Sequence, residues 1–397
     1  MINGVKKIGI IGGGQLAKMM IAPAQAMGYQ VYILDPDPDC GSSWCVKTQV
    51  VGSFSEPAAL NKLAELVGKD GVITFDSEHI GVEELRALQS KGYTIRPCLD
   101  SQEKIRDKYL QKSELKKAGL KVADFEAVRD IKDITEWLKA NGKGVLKSRR
   151  FSYDGYGNHV IADEKDIEEG VQKLSKNKGG LYVEKWVPYD SEVSVNVARG
   201  LNGEYKFYPI AVNQHAHNVL YTTIAPCNLP KGLEKSVLES AKKSADAFKG
   251  AGNLGVEMFI VQSEIIKDGL HKGEFDFDVL INEVAPRPHN SGHFTIEACR
   301  TSQFENHIRG VAGLPLGDTD MVYETAMMLN ILGERGKSGA VRYEGVEKAM
   351  EMGFSVHLYG KEETRPGRKM GHMTIVGDKD KLMKMGDIEK VRIKATV

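Results

Sequence analysis

The chain has 397 residues, 41% of them hydrophobic, and its 54 Lys and Arg balance 54 Asp and Glu. That length exceeds one ordinary core and fits two or three domains. Zero formal charge excludes a global field that would gather nucleic acid or an anionic membrane, so a polyanionic ligand has to be met by local groups.

Five cysteines (Cys40, Cys45, Cys98, Cys227, Cys299) contain no CxxC pair, and an odd number does not close a disulfide set. Reduced thiols are expected. The apolar run "IGII" is too short for a signal peptide, and no segment approaches the length that crosses a bilayer. A cytoplasmic protein is the reading.

In chain order, β-rich "KKIGIIG" leads to a helix from Gln15 to about Met27, closed by Gly28. "QVYILD", a helix over Pro57–Val67 and "GVITF" follow, the rhythm of a doubly wound parallel sheet. The segment "SQEKIRDKYLQKSELKKAG" predicts one amphipathic helix from a Ser101 cap to Gly119, with a domain boundary near residue 100. Strands are expected in "KGVLKSRR", "GGLYVEKWV" and "SEVSVNVARG", an α+β pattern, with the loop "FSYDGYGN" after the first. A long helix over Pro230–Lys249 precedes "NLGVEMFIV" and "DVLINEV", which read as a hairpin. Beyond "GLPLG" at 313–317 the pattern is short and strand-rich, and no repeats or heptads occur.

"IGIIGGGQLAKMM" places glycines between a strand and a helix, and Asp35 ends the next strand, as in a dinucleotide-binding fold. A turn that only lets the helix pack on the sheet fits equally. In "VLKSRRFSYDGYGN", Lys147 ends a strand before a Gly-bearing loop with Tyr153 and Asp154, so a flexible backbone can cover a polyphosphate while the lysine neutralises it. The alternative is a solvated surface loop. Lys108 and Lys112, spaced i and i+4, share one helix face.

Glu257 and Glu283 sit inside apolar strand runs, where an unpaired charge costs several kcal/mol. Side by side, the two strands would join the carboxylates and require a cation. Mg2+ suits, since it binds one or two carboxylates plus substrate phosphates. A salt bridge such as Glu283 with Arg287 is the bland alternative. His289 and His293 are spaced i and i+4, but Pro286 and Pro288 make a helix implausible and no cysteine accompanies them, which disfavours zinc. The prolines instead carry the chain out of its strand extended, presenting Arg287, His289, Asn290 and His293 on a loop at a strand end.

Taken together, "GGGQLAKM", "LKSRR", "YDGYGN", "YVEKWVPYDSEVSV", "GVEMF", "NEVAPRPHNSGHFTIEACRTSQFENHIRG" and "RPGRKMGH" resemble the ATP-grasp family of N5-carboxyaminoimidazole ribonucleotide synthetases. The resemblance runs over nearly the whole chain. It implies a mixed α/β and α+β architecture: a Rossmann-like domain over 1–100, an ATP-grasp domain over 101–310 and a small strand-rich domain over 311–397. It implies an ATP- and bicarbonate-dependent ligase of purine synthesis that carboxylates aminoimidazole ribonucleotide through carboxyphosphate, as a homodimer. The fungal branch carries a fused second enzyme; a chain stopping at Val397 leaves room for the synthetase only.

By the same resemblance Lys108, Lys112 and Lys147 face ATP phosphates under a closing loop of Ser152, Tyr153, Asp154, Gly155, Tyr156, Gly157 and Asn158. Glu184, Lys185, Trp186 and Val187 form the hinge that reads adenine. Glu192 takes the ribose hydroxyls, with His215, Asn282 and Glu283 nearby. Glu257 and Glu283 hold Mg2+. Gln15, Glu78, Tyr153, Asp154, Lys361 and Arg368 bind the aminoimidazole ribonucleotide, while Arg287, His289 and Asn290 handle bicarbonate. Asp154, His289 or phosphate itself removes the amine's proton. Phe151 and Ser152 stand where relatives have two glycines, Asn158 for Gln, Lys108 for Arg and Ala17 for Gly. A formyl-phosphate ligase, a nicotinamide-dependent oxidoreductase and an ATP-binding regulatory module are the competing readings.

Overall fold

The computed structural model describes residues 4–151, 157–176, 179–262, 277–378, 380, 382 and 391–397. The apolar runs near the N-terminus build a parallel five-stranded sheet in the order Thr48–Val51, Gln30–Asp35, Lys7–Ile11, Val72–Phe75, Thr94–Ile95. Both faces are covered, as a parallel sheet requires. Strand order reverses between Lys7–Ile11 and Val72–Phe75, so a crevice opens beyond their carboxyl ends, at Gly12–Gln15 and Asp76–His79.

One layer over this sheet comes from far along the chain. Helix Gln303–Ala312 buries Phe304, Ile308 and Val311 against Ile8, Ile10, Met20 and Ile21. The N-terminal core therefore includes residues expected to belong to the central domain.

The single helix expected from Ser101 to Gly119 is two, Leu99–Ile105 and Lys108–Lys117. Asp107 breaks it. Its backbone is extended, and its carboxylate caps the second helix by accepting from the Tyr109 and Leu110 N–H groups while Arg149 grips it through Nε and Nη2. Ser101 is inside the first helix and donates to the Phe248 carbonyl. Lys108 and Lys112 still share a face, and both are buried.

Two larger antiparallel sheets follow. A four-stranded lobe pairs Phe125–Val128, Leu181–Lys185, Gly144–Ser148 and Asn158–Ile161 in that spatial order, around a core of Trp137, Leu146 and Val183. A nine-stranded sheet contains the expected hairpin, Gly252–Gln262 with Phe277–Ala285, flanked by Ser191–Arg199 and Ala211–Ala216. Strands Thr325–Leu332, Lys369–Gly377 and Ser355–Leu358 extend this same sheet. These three C-terminal strands thus continue the central sheet, while Gly339–Ala340 with Glu363–Thr364 and Arg342–Glu344 with Lys394–Thr396 form two small sheets apart from it. The helices expected at Gln15 and Pro230 form as Gln15–Ala26 and Lys231–Phe248. All five cysteines are free thiols, and no helix among the described residues is long and apolar enough to cross a membrane.

Candidate active site

A cavity of about 700 Å³ lies where the crevice of the parallel sheet, the four-stranded lobe and the large sheet meet. Of the residues singled out from sequence, Gln15, Glu78, Lys108, Lys112, Lys147, Asn158, Trp186, Glu192, His215, Glu257, Asn282, Glu283, Arg287, His289, Asn290 and His293 line it. Glu184 is buried just behind the wall, and Gly157, Lys185 and Val187 are off it. Ser152, Tyr153, Asp154, Gly155 and Tyr156 lie outside the described residues. Lys361 and Arg368 are not brought to the wall: their side chains bond the Lys369 and Glu363 carbonyls, and Lys369 lines the cavity in their place.

Carboxylates and ammoniums meet in the wall of the cavity. Antiparallel register sets Glu257 opposite Glu283, as the hairpin predicts. Glu283 pairs with Lys108 at 2.6 Å, so its basic partner is Lys108 and not Arg287. Deeper in, Glu184 joins Lys112 at 2.8 Å and Lys147 at 3.1 Å, with Lys112 and Glu184 almost fully buried. Burial alone would raise the Glu184 carboxyl, but the two ammoniums outweigh it and hold it below the usual range. Glu192 has the opposite balance. Burial, then the neighbouring Glu257 and Glu283, push its carboxyl well above the ordinary carboxylate value.

Arg287 extends from the proline-stiffened loop to the crevice, where Glu78 takes Nε at 2.7 Å and Nη2 at 3.2 Å. Burial would raise the Glu78 carboxyl; Arg287 and Lys108 hold it far below its usual range. The loop is pinned twice. Gln303 exchanges hydrogen bonds with the His289 backbone, donating to its carbonyl at 2.7 Å and accepting its N–H at 2.9 Å. Asn290 and Asn330 exchange side-chain amide bonds at 3.1 and 2.6 Å.

The glycine turn is filled by the chain's own acids. Asp35 accepts from the Gly13 N–H at 2.7 Å, and a Cβ on Gly12, whose φ is +122°, would overlap the Asp76 carboxylate. Burial pushes the Asp76 carboxyl up to about 7, opposed by Arg287 and reinforced by Asp35. Carboxylates occupy the place of a dinucleotide phosphate, which removes the structural basis of the nicotinamide reading.

Sequence reasoning missed Asp76, His79, Tyr189, Phe259 and Lys369, all on the wall. Asp76 and His79 flank Glu78 just beyond a strand end, so position relative to the topological switch was the available signal. Tyr189 stacks on Phe259 with ring centroids 4.4 Å apart, and Trp186 lies under the Lys143 ammonium. Nothing local in "VPYD" or "VEMF" announces that flat apolar wall. The Lys185 and Trp186 N–H groups bond the Asp124 and Lys143 carbonyls.

Residues 113–304 match the ATP-grasp domain family, preceded by the ribonucleotide synthetase preATP-grasp domain at 5–104 and followed by the phosphoribosylaminoimidazole carboxylase C-terminal domain at 326–385. Fold and cavity therefore define an ATP-grasp protein. The chain is 38% identical over 373 residues to the chloroplastic phosphoribosylaminoimidazole carboxylase of Vigna aconitifolia, covering 93% of this chain and 64% of that protein. It is 36% identical over 375 residues to the N5-carboxyaminoimidazole ribonucleotide synthase of Bacillus subtilis, covering 93% and 91%. The solved N5-carboxyaminoimidazole ribonucleotide synthetase of Thermotoga maritima superposes with a TM-score of 0.84 at 39% identity, covering 99% of each chain. The chain belongs to the N5-carboxyaminoimidazole ribonucleotide synthase family.

Proposed function

We propose that this protein is an ATP-dependent carbon–nitrogen ligase that carboxylates the exocyclic amine of 5-aminoimidazole ribonucleotide with bicarbonate, releasing ADP and phosphate, in purine biosynthesis. The observation that carries the reading is one cavity in which a lysine and carboxylate cluster fit for polyphosphate meets an arginine held by a fork for a small oxyanion.

Bicarbonate is a poor electrophile, because its carbon is flanked by oxygens that share negative charge. Phosphorylation by ATP gives carboxyphosphate, which carries a good leaving group. Lys108 and Lys147 meet the phosphates, and Lys112, held behind them by Glu184, keeps the local potential positive. Trp186, Tyr189 and Phe259 supply a flat wall for adenine, and Glu192 accepts from ribose hydroxyls. ATP-grasp enzymes work on Mg-ATP, and the donors fit: Glu257 and Glu283 face one another across the strand pair, with Glu192 close by on the next strand. When bound, Mg2+ neutralises charge on the terminal phosphates. Arg287 holds bicarbonate oxygens with the N–H groups that Glu78 and the Pro288 carbonyl leave over, His289 and Asn290 bound the same pocket, and Gln15 and Lys369 flank the ribonucleotide. The amine then attacks the activated carbon, the C–O bond to phosphate breaks, and the nitrogen loses its proton.

The test is incorporation of labelled bicarbonate into the ribonucleotide with one ADP formed per carboxyl transferred. Transfer of label from formate in its place would replace carboxylation with formylation. A homodimer in the cytoplasm completes the proposal, and light scattering that returned a monomer would remove the first part.

A further inference from the structure

The large sheet brings together a set of groups that the proposed chemistry uses one at a time. Glu257, Glu192 and His215 come from three neighbouring strands, Gly252–Gln262, Ser191–Arg199 and Ala211–Ala216, with the Glu192 strand in the middle. Register pairs Glu192 with Phe259 on one side and Asn213 on the other, so Glu257 stands two residues along on the face Glu192 uses. The register shifts between Gln214 and His215, and the imidazole lies beside the Glu192 carboxylate. One ligand atom from each of the three side chains lies within 4.8 Å of the others.

We propose that Glu192, His215 and Glu257 form a second cation site, selective for a borderline transition ion such as Zn2+ over Mg2+, and that filling it shuts out the nucleotide. His215 Nδ1 stands 3.7 Å from Glu192 Oε2. That is longer than a hydrogen bond and close to the edge of roughly 3.4 Å between two ligands of a tetrahedral ion with bonds of about 2.1 Å. His289 Nε2 stands at the same 3.7 Å from Glu257 Oε1, so a second imidazole borders the cluster. Glu192 is more than nine-tenths buried, and all three groups sit on strands, so little reorganisation is needed.

Ligand chemistry sets the selectivity. Imidazole nitrogen with carboxylate oxygens suits Zn2+, Co2+ or Ni2+, whereas Mg2+ prefers oxygen donors and keeps much of its water. The expected consequence rests on the reading of Glu192 and His215 as nucleotide contacts. An ion held there takes both from ATP, and takes Glu257 from the position shared with Glu283. Zn2+ therefore inhibits by raising KM for ATP, and ATP displaces it.

The measurement is calorimetric titration of the chelator-treated, nucleotide-free full chain with Zn2+, with Co2+ absorption alongside to report ligand type. One ion per chain is expected, with a Co2+ spectrum of nitrogen and oxygen ligation and no thiolate charge-transfer band. His215→Ala lowers the affinity by about tenfold or more, while Glu283→Gln stays within about threefold of the parent. Equal affinity in His215→Ala, a thiolate band, or a loss in Glu283→Gln as large as that in His215→Ala each overturns the proposal, the last by placing the ion between Glu257 and Glu283. Should His215→Ala not fold, Glu192→Gln carries the same expectation and the same contradiction. Binding to the nucleotide-free chain is independent of which ribonucleotide is carboxylated, so this proposal and the carboxylation reading fail separately.

Discussion

At the scale of single residues, charge pairing inside apolar surroundings decides both stability and function. Glu184 is the anion for two ammoniums, and Glu184→Gln leaves Lys112 buried without its partner. A loss of about 3–5 kcal/mol is expected, read as a lower urea midpoint. The folded-state Glu184 carboxyl lies below its ordinary value of 4.5, so its contribution is present above that pH and fades as pH falls through and below it. Glu283 differs, because its side chain is 39% exposed. Glu283→Gln should lose turnover by about 100-fold or more, since its carboxylate acts on phosphate charge; near-parental kcat would remove it from the metal and phosphate site. Glu257, Glu283 and Arg287 were legible in the sequence because charges embedded in apolar runs or braced by prolines demand an explanation. Lys369 was not. It is one of several basic residues in "RPGRKM", and only its place on strand Lys369–Gly377 turns it toward the cavity while Arg368 bonds the Glu363 carbonyl.

At the scale of elements, the break at Asp107 is the instructive case. Periodicity across Ser101–Gly119 suits a helix throughout, and no glycine or proline interrupts it. The break comes from a distant partner: Arg149, some forty residues on, holds the Asp107 carboxylate where it caps the helix that starts at Lys108. Tertiary contacts of this kind override local propensity and leave no local trace. Asp107→Ala should cost about 1–2 kcal/mol from the cap alone. Because Lys108 is the first residue of that helix, the same variant should raise KM for ATP several-fold; an unchanged KM would detach the cap from the nucleotide site. The hairpin was the opposite case. Two β-rich runs with a charged connection specify antiparallel neighbours, and the pairing of Glu257 with Glu283 followed.

At the scale of the whole molecule, long-range packing explains what composition and rhythm left open. The parallel sheet and the strand-rich end were both legible, but helix Gln303–Ala312 packing on the N-terminal core was not, nor was the continuation of the central sheet into the C-terminal strands. These junctions are rich in buried histidine. Burial lowers His307 to about 3 and holds His293 and His372 well below 6.5, with neighbouring histidines reinforcing the effect for the last two. Each is neutral when folded and takes up a proton when unfolded at mildly acidic pH. Stability is therefore full above about 6.5 and falls as pH drops, by up to about 1.4 kcal/mol per pH unit for each histidine. Urea unfolding between pH 7.5 and 5.5, to be run at about constant ionic strength, should show that slope. A midpoint that does not move would mean that folded and unfolded chains take up protons equally over this range, contradicting neutral buried imidazoles.

The central claim is that one cavity couples ATP cleavage to carboxylation of a ribonucleotide amine, and ADP formation with each substrate omitted in turn tests it most directly. Rapid ADP release is expected only with aminoimidazole ribonucleotide, bicarbonate and Mg2+ all present, and at most a slow background without the ribonucleotide. ATP turnover at the full rate in the absence of the ribonucleotide would contradict it.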